Sequence, residues 1–589
     1  VVTFIWSLTP APPKYEFSGK KDALMLEKIT RKQPALMKAL KHIIFPLLFY
    51  FFMFCLLTYP LILKFFTHFF TDTGDGLQSI WNLWWVDLAV RRPDLYPTIW
   101  QTNLLYWPYG TTLYGQTLNP FNGFLAVFLL KFLSLTVTFN TITIFGFVMG
   151  GMSMYWLSHY LTKSFWGSII AGFIFTFSNY HFSNVNGRLQ LVSLEWIPLF
   201  VLCWYSLIIK PRTAKAAGAA IVLFMVLLCD YYYFFYCVLI VIIIIIWYAI
   251  IKKDLWFLIR KEHFLSMATF TVMVLLLVTP IVGPLIYSNI RDPLVGSHDP
   301  TIYSLDLLAL FIPGGHWMFN QWTRFYWSKL PGNIHESSVF LGLSVYVLLG
   351  YAWINRKIQD LATKQLIYLW FIIIGFFFVM ALGPEFQVGG KVIWDKAMPY
   401  TLLVNILPPL KLSGVPVRMV VMVILGASVL SALGLRELFR QFSRNIIFII
   451  ALLGVLLFET LPAPLPATRV DVPGYITALA GLPNDGGVVD LVTKNPTYAL
   501  YYQTIHGKPV AFGYISRVPT SVTNEDYTLT QAIKKQDYGE LWDTYHIRYI
   551  VTQDALQTLV SQPYISVELV SDQNNIRIYR LGCVCEANK

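Results

Sequence analysis

Apolar runs long enough to cross a bilayer recur along this chain, with short polar stretches between them. They fall at 43–66, 139–160, 165–180, 191–209, 213–229, 232–251, 263–287, 337–354, 365–383, 416–436 and 445–461. A further run, "NPFNGFLAVFLLKFL" at 119–133, is only 15 residues long. It is short for a span, and the pattern predicts an interfacial or re-entrant helix there. From Pro462 onward the pattern changes. After the linker "LPAPLPATRVDVPG", strand-like stretches "GVVDLV", "PVAFGYI", "RYIVT", "ISVELV" and "IRIYRL" alternate with helix-like stretches at 497–506, 523–536 and 553–561. The prediction is an all-α polytopic membrane domain of eleven helices followed by a small α/β domain with its own core.

Charge decides the orientation. The 589 residues carry 44 Lys and Arg against 32 Asp and Glu, a net charge of +12, and 56% of the chain is hydrophobic. So basic a chain suggests nucleic acid, but the basic residues stand in short clusters between apolar runs and not along one helix face. That is the positive-inside pattern, and nucleic acid is excluded as a partner. The clusters are Arg31/Lys32/Lys38/Lys41, Lys163, Lys210/Arg212/Lys215, Lys252/Lys253/Arg260/Lys261, Arg356/Lys357/Lys364 and Arg436/Arg440/Arg444. All lie on one side only if 119–133 does not cross. The expected layout is a cytoplasmic segment 1–42, a membrane domain 43–461 with external loops 67–138, 288–336 and 384–415, and an external domain 462–589. The membrane is then an inner or plasma membrane and the tail is periplasmic or extracellular. The opening "VVTFIWSLTP" is too short an apolar run for a signal peptide.

Cysteine adds little. Cys55, Cys203, Cys229 and Cys237 lie in or beside apolar runs as small hydrophobes. Cys583 and Cys585, outside, have an oxidising compartment in which to pair with each other or a partner, and no zinc-ligand spacing.

Two polar stretches on the external side stand out. "TDTGDG" places Asp72 and Asp75 where the first run ends, either as turn and cap residues or as a site. "NYHFSNVNGRLQLVSLEW", 179–196, brings His181, Arg188, Gln190 and Glu195 to the membrane boundary, where ionisable groups are expensive unless they face a cavity or a partner. The loop 288–336 mixes Trp and Tyr with His316 and Glu336, a composition that suits sugar stacking and equally an interfacial aromatic belt. Asp230, before "YYYFFY", either lines the same cavity or caps the next helix.

The order of these parts resembles the GT-C superfamily of membrane glycosyltransferases, which includes protein O-mannosyltransferases and lipid A aminoarabinose transferases. The motifs resemble more closely still those of an uncharacterised bacterial branch. The resemblance rests on Gly74, Asp75, Gln78, Asn82, Trp84 and Trp85, on "WPYG" at 107–110, "LQLVSLEWIPL" at 189–199, "GVPVRM" at 414–419 and "YYQTIHGKPVAFGYISR" at 501–517. It covers about 43 to 582. Departures are a loosely spaced acidic pair, Arg188 where relatives carry His, and Gly414 where they carry a second arginine.

The resemblance implies a sugar donor linked to polyprenyl phosphate and a glycan, lipid or protein acceptor on the outer face. An inverting transfer needs a carboxylate to take the acceptor hydroxyl proton, and cations or a metal to hold the leaving phosphate. Asp75 is the expected base, with Asp72 second to it or sharing a divalent ion, Mg or Mn, with it. Arg188 and Arg418, with His181, are the expected phosphate ligands. Gln78, Gln190, Glu195, His316 and Glu336 are the expected substrate contacts. The tail shows no catalytic motif. Two other classes stand beside the enzyme: a catalytically silent GT-C-like subunit of a larger membrane complex, and a transporter or polymerase of lipid-linked saccharides. The uniformly apolar "CVLIVIIIIIWYAII" speaks against the polar path the last would need.

Overall fold

The computed structural model describes residues 35–412, 414–442, 446–557, 562 and 564–583. A helix stands at each of the eleven predicted positions. Among the described residues six are long and apolar enough to cross a membrane: Met37–Leu57, Leu135–Thr162, Tyr231–Lys252, Lys261–Arg291, Leu361–Ala381 and Pro416–Gln441. The others are shorter, and local chemistry explains why. The first helix ends at Leu57 and not at 66, because Pro60 has no N–H to continue the ladder and disfavours helix in the residue before it. The predicted 165–180 run is a helix only over Phe165–Thr176. Ser178 then caps a second short helix by accepting from His181 N. Helix Trp196–Ile209 begins five residues later than the apolar run suggests, and Leu343–Asn355 begins only after Gly342.

Helix Pro120–Leu129 is capped by Asn119, whose side chain accepts from Asn122 N. At ten residues it covers roughly 15 Å, about half a hydrocarbon core. The buried core runs through most of the bundle. Within it the Pro416–Gln441 window is completely buried, whereas that of Lys261–Arg291 is 17% buried.

The tail forms a sheet in the spatial order Gly487–Asp490, Ile547–Thr552, Ile576–Cys583, Ile565–Gln573. The first pair is parallel and the others antiparallel. Successive side chains face opposite ways, and each face has its own core. Val489, Ile550 and Leu581 pack with Leu529 and Leu541 of the tail. Val488, Tyr549, Val551 and Ile578 join Leu77, Trp81 and Trp85 of helix Asp75–Arg91. The tail therefore does not rest on a core of its own alone, as its length had suggested. Trp81 Nε1 donates to Gln503 Oε1 at 2.7 Å and Gln503 Nε2 to Leu104 O at 2.6 Å, tying the two regions together.

Two predicted elements differ from the pattern. "PVAFGYI" forms no strand but a single parallel bridge, Val510 with Val488, through Val488 N to Pro509 O at 2.9 Å and Ala511 N to Val488 O at 2.8 Å, while Val510 N turns to Leu104 O at 2.9 Å. Residues 553–557 are not helical, and 558–561 lie outside the described residues, as do Cys585, Arg444 and residues 1–34.

Candidate functional site

The acidic turn separates its two carboxylates. Asp72 Oδ1 accepts from Gly74 N at 3.0 Å and Gly76 N at 3.1 Å, the geometry of a turn and cap residue. Burial pushes its carboxyl up, against the two amide donors that favour its charged form. Asp75 opens helix Asp75–Arg91, where the helix dipole favours a negative charge, and it faces a cavity of about 810 Å³. Asp72 does not line that cavity. Of the two, Asp75 is the carboxylate that lines the cavity. Among the described residues no three His, Cys, Asp or Glu gather as metal ligands.

Gly187 clamps the second polar stretch onto this turn. Its φ is +111° and a β-carbon there would lie 2.9 Å from Asp72 Oδ1 and from Gly76 N. Ser79 Oγ donates to Gly187 O at 3.0 Å. Arg188, the next residue, consequently reaches the same cavity as Asp75.

Arg418 enters from the N-terminal end of the buried helix and meets Glu336. Its Nε and Nη2 donate to Glu336 Oε1 at 3.0 and 2.6 Å. Arg188 Nη1 lies 3.1 Å from the same oxygen, outside hydrogen-bond geometry, and Glu336 Oε2 is buried without a hydrogen-bond partner. Glu336, expected to touch substrate, is thus the counter-ion of both arginines. Burial alone would raise its carboxyl, but Arg418 and then Arg188 hold it down at about 2. Gly414 has a φ of +59°, and a β-carbon there would lie 1.9 Å from His298 O. No side chain fits there.

The remaining expected residues divide. Gln78 and Gln190 line the cavity. Gln78 Nε2 donates to Gln116 Oε1 at 2.6 Å and to Ser516 Oγ at 3.1 Å, and Gln116 Oε1 also accepts from Ser516 N at 3.0 Å. Asp230 does both things expected of it: its Oδ1 accepts from Tyr232 N at 2.8 Å and Tyr233 N at 3.1 Å, and it lines the cavity. Three others lie away from the lining. His181 is stacked on Phe147 with its ring nitrogens 2.7 and 2.8 Å from Thr176 O and Val192 O. Glu195 is buried at the start of helix Trp196–Ile209. His316 lies 2.8 Å from His335 Nδ1 through its Nε2. Burial lowers both of these rings, His316 to about 3 and His335 to about 4, so the pair is neutral.

The tail supplies what the motif pattern had not assigned. Tyr514, Ser516 and Arg517 all line the cavity, with Tyr514 OH 3.5 Å from Asp75 Oδ1. Their signal was present in the "YYQTIHGKPVAFGYISR" segment, which ends on Arg517. Val282, Leu285, Ile286 and Ile290 of helix Lys261–Arg291 give the cavity an apolar wall.

A family model described as "Domain of unknown function (DUF6311)" matches residues 36–460. No curated protein sequence matches. Among solved structures, the arabinofuranosyltransferase AftD from Mycobacteria is similar over 91% of this chain and 40% of its own, at 14% identity and a TM-score of 0.51. The chain thus spans about two fifths of AftD. The oligosaccharyltransferase AglB from Archaeoglobus fulgidus, in complex with an inhibitory peptide and a dolichol-phosphate, is similar over 86% of this chain and 69% of its own (12% identity, TM-score 0.43). ArnT from Cupriavidus metallidurans, bound to undecaprenyl phosphate, is similar over 90% and 98% (10% identity, TM-score 0.41). The likeness to AftD shows a shared fold.

Proposed function

The chain belongs to the DUF6311 family, and from that premise we propose that it is a membrane glycosyltransferase, moving a sugar from a polyprenyl-phosphate-linked donor to an acceptor on the outer face. The observation that carries this reading is the make-up of one cavity. It joins the carboxylate of Asp75, the guanidinium groups of Arg188, Arg418 and Arg517, and the apolar wall of helix Lys261–Arg291. A lipid-linked sugar phosphate has the same three parts. Its prenyl chain suits the apolar wall, its phosphate the arginines, and its sugar the faces of Trp100, Tyr114 and Tyr514.

In the transfer the acceptor oxygen attacks the anomeric carbon, and the carbon–oxygen bond to phosphate breaks with its electron pair leaving on the phosphate. Asp75 takes the acceptor's hydroxyl proton. Arg188 and Arg418 stabilise the charge that grows on the departing phosphate. Gln78, held by Gln116 and Ser516, orients the helix turn that carries Asp75.

The test is transfer in vesicles holding the purified protein and a polyprenyl-phospho-sugar with radiolabelled sugar, offered with extracted glycans, lipids and proteins of the cell envelope. Asp75→Asn is expected to cut transfer by at least about a hundredfold while leaving donor binding intact. A second reading, the silent subunit, draws on Glu336, which already engages both Arg188 and Arg418. Donor retention by the wild type with no transfer to any acceptor, and no difference in Asp75→Asn, would select it.

A further inference from the structure

Taking the anion-binding reading of this cavity as its basis, we propose that Glu336 is a specificity-determining residue: it sets the cavity's charge so that a singly charged phosphodiester is accepted over a doubly charged diphosphate.

The arrangement of the ion pair is the starting point. A carboxylate facing two guanidinium groups ordinarily offers one oxygen to each. Here Arg418 and Arg188 converge on Oε1 alone, at 2.6 and 3.1 Å. Oε2 and Arg188 Nη1 are both buried without a hydrogen bond, and Arg188 itself is only 8% exposed. Counted over the ion-paired groups alone, two cations meet one anion and Arg188 keeps an unused donor; the buried Asp230, which also acts on Arg418, enters with the whole lining. A buried donor left without a partner is costly, so the cluster is built to take one more anionic group.

The rest of the lining gives the same balance. Its cationic residues are Arg188, Lys411, Arg418 and Arg517, and its carboxylates are Asp75, Asp230 and Glu336. His298 adds no charge near neutral pH, since burial lowers it to about 4. Four positive against three negative again leaves one. A sugar joined to a lipid by a single phosphate carries one charge at that phosphate; the diphosphate carries two. The second charge would enter a partly buried space with no cation left to meet it, beside carboxylates that repel it.

The experiment compares two probes differing by one phosphate: undecaprenyl phosphoglucose and undecaprenyl diphosphoglucose. Their dissociation constants are measured by native mass spectrometry on the full chain in detergent. The wild type is expected to prefer the monophosphate. Glu336→Gln, which keeps shape and removes the charge, is expected to move the ratio of constants toward the diphosphate by at least about tenfold. Arg188→Gln combined with Glu336→Gln restores the surplus of one and is expected to return the ratio to that of the wild type. Equal weakening of both probes in Glu336→Gln, with the ratio unchanged, makes Glu336 a structural counter-ion and overturns the proposal. If Glu336→Gln does not fold, Arg188→Gln alone carries the test. It removes the surplus, so the diphosphate must lose more than the monophosphate, and an unchanged ratio overturns the proposal equally. Failure of the wild type to bind either probe defeats the lipid-phosphate reading itself, a result distinct from an unmoved ratio.

Discussion

Helices Val420–Phe442 and Lys261–Arg291 lead to the same cavity from opposite kinds of surroundings. The first is buried throughout its apolar window, with small residues such as Ala427, Ser428, Ser431 and Ala432 allowing neighbours to approach closely. The second is 17% buried. Leu276 and Ile290 are 69% and 74% exposed, and Pro280 and Pro284 interrupt its hydrogen-bond ladder. Arg418 sits at the mouth of the first, while the second contributes Val282, Leu285, Ile286 and Ile290. The difference teaches how the demands of the site are divided. The phosphate of the proposed donor needs guanidinium groups at fixed positions, which a packed helix supplies. Its prenyl chain needs only apolar surface, and a helix with few neighbours supplies that.

Breaking the rigid side should cost most. Arg418→Ala leaves Glu336 buried with Arg188 as its remaining partner, and loss of one member of a buried pair costs about 3–5 kcal/mol. A fall in thermal transition together with loss of undecaprenyl phosphate retention is expected; retention at the wild-type level would remove Arg418 from the site. The packing contrast is tested next. Leu430 is fully buried, and Leu430→Ala should cost about 2–5 kcal/mol. Leu276→Ala, on the exposed helix, should stay within about 0.5 kcal/mol. Equal effects in unfolding assays would show that the two helices do not differ as their burial says.

Acid sharpens the comparison, because the polar side of the site has titratable neighbours and the residues that Lys261–Arg291 contributes do not titrate. His316 and His335 have folded values lowered by burial to about 3 and 4, from an ordinary 6.5. Between those values the unfolded chain binds protons that the folded chain does not, so stability is present above pH 6.5 and falls as pH drops toward 4. Thermal transitions measured across that range should fall for the wild type and fall less for His316→Asn. Parallel curves would mean that the histidine pair does not report on folding.

The helices were legible because apolar runs leave little else to be built, and their ends were misplaced where one residue overrode the run, as Pro60 and Gly342 do. Asp75 and Arg418 were legible as candidates from their place at the membrane boundary. Glu336 was visible only as one polar residue in an aromatic loop. That it joins Arg188 and Arg418 depends on three segments meeting, which no periodicity encodes. Arg517 stood in plain sight as the last residue of "YYQTIHGKPVAFGYISR", but its place in the cavity was not readable for the same reason. His181 misled because a histidine at a boundary looks alike whether it faces a cavity or two backbone carbonyls.

The smallest effect concerns what restrains the exposed helix. Past its end, Leu294–Val295 pairs with Val518–Pro519 of the tail. Asp292 accepts from Ser521 N at 3.0 Å and from Ser521 Oγ at 2.5 Å. Arg517 directly precedes this ribbon, so the apolar wall and one of the site's cations share a tether. Asp292→Ala removes two bonds at a solvent-exposed end, worth about 1 kcal/mol, too little to unfold the chain. Hydrogen exchange should then rise over 518–523 and along the outer turns of Lys261–Arg291 together, with Val420–Phe442 unchanged. A rise confined to the tail would show that the ribbon does not couple the two, and that the wall is held by its helix neighbours alone.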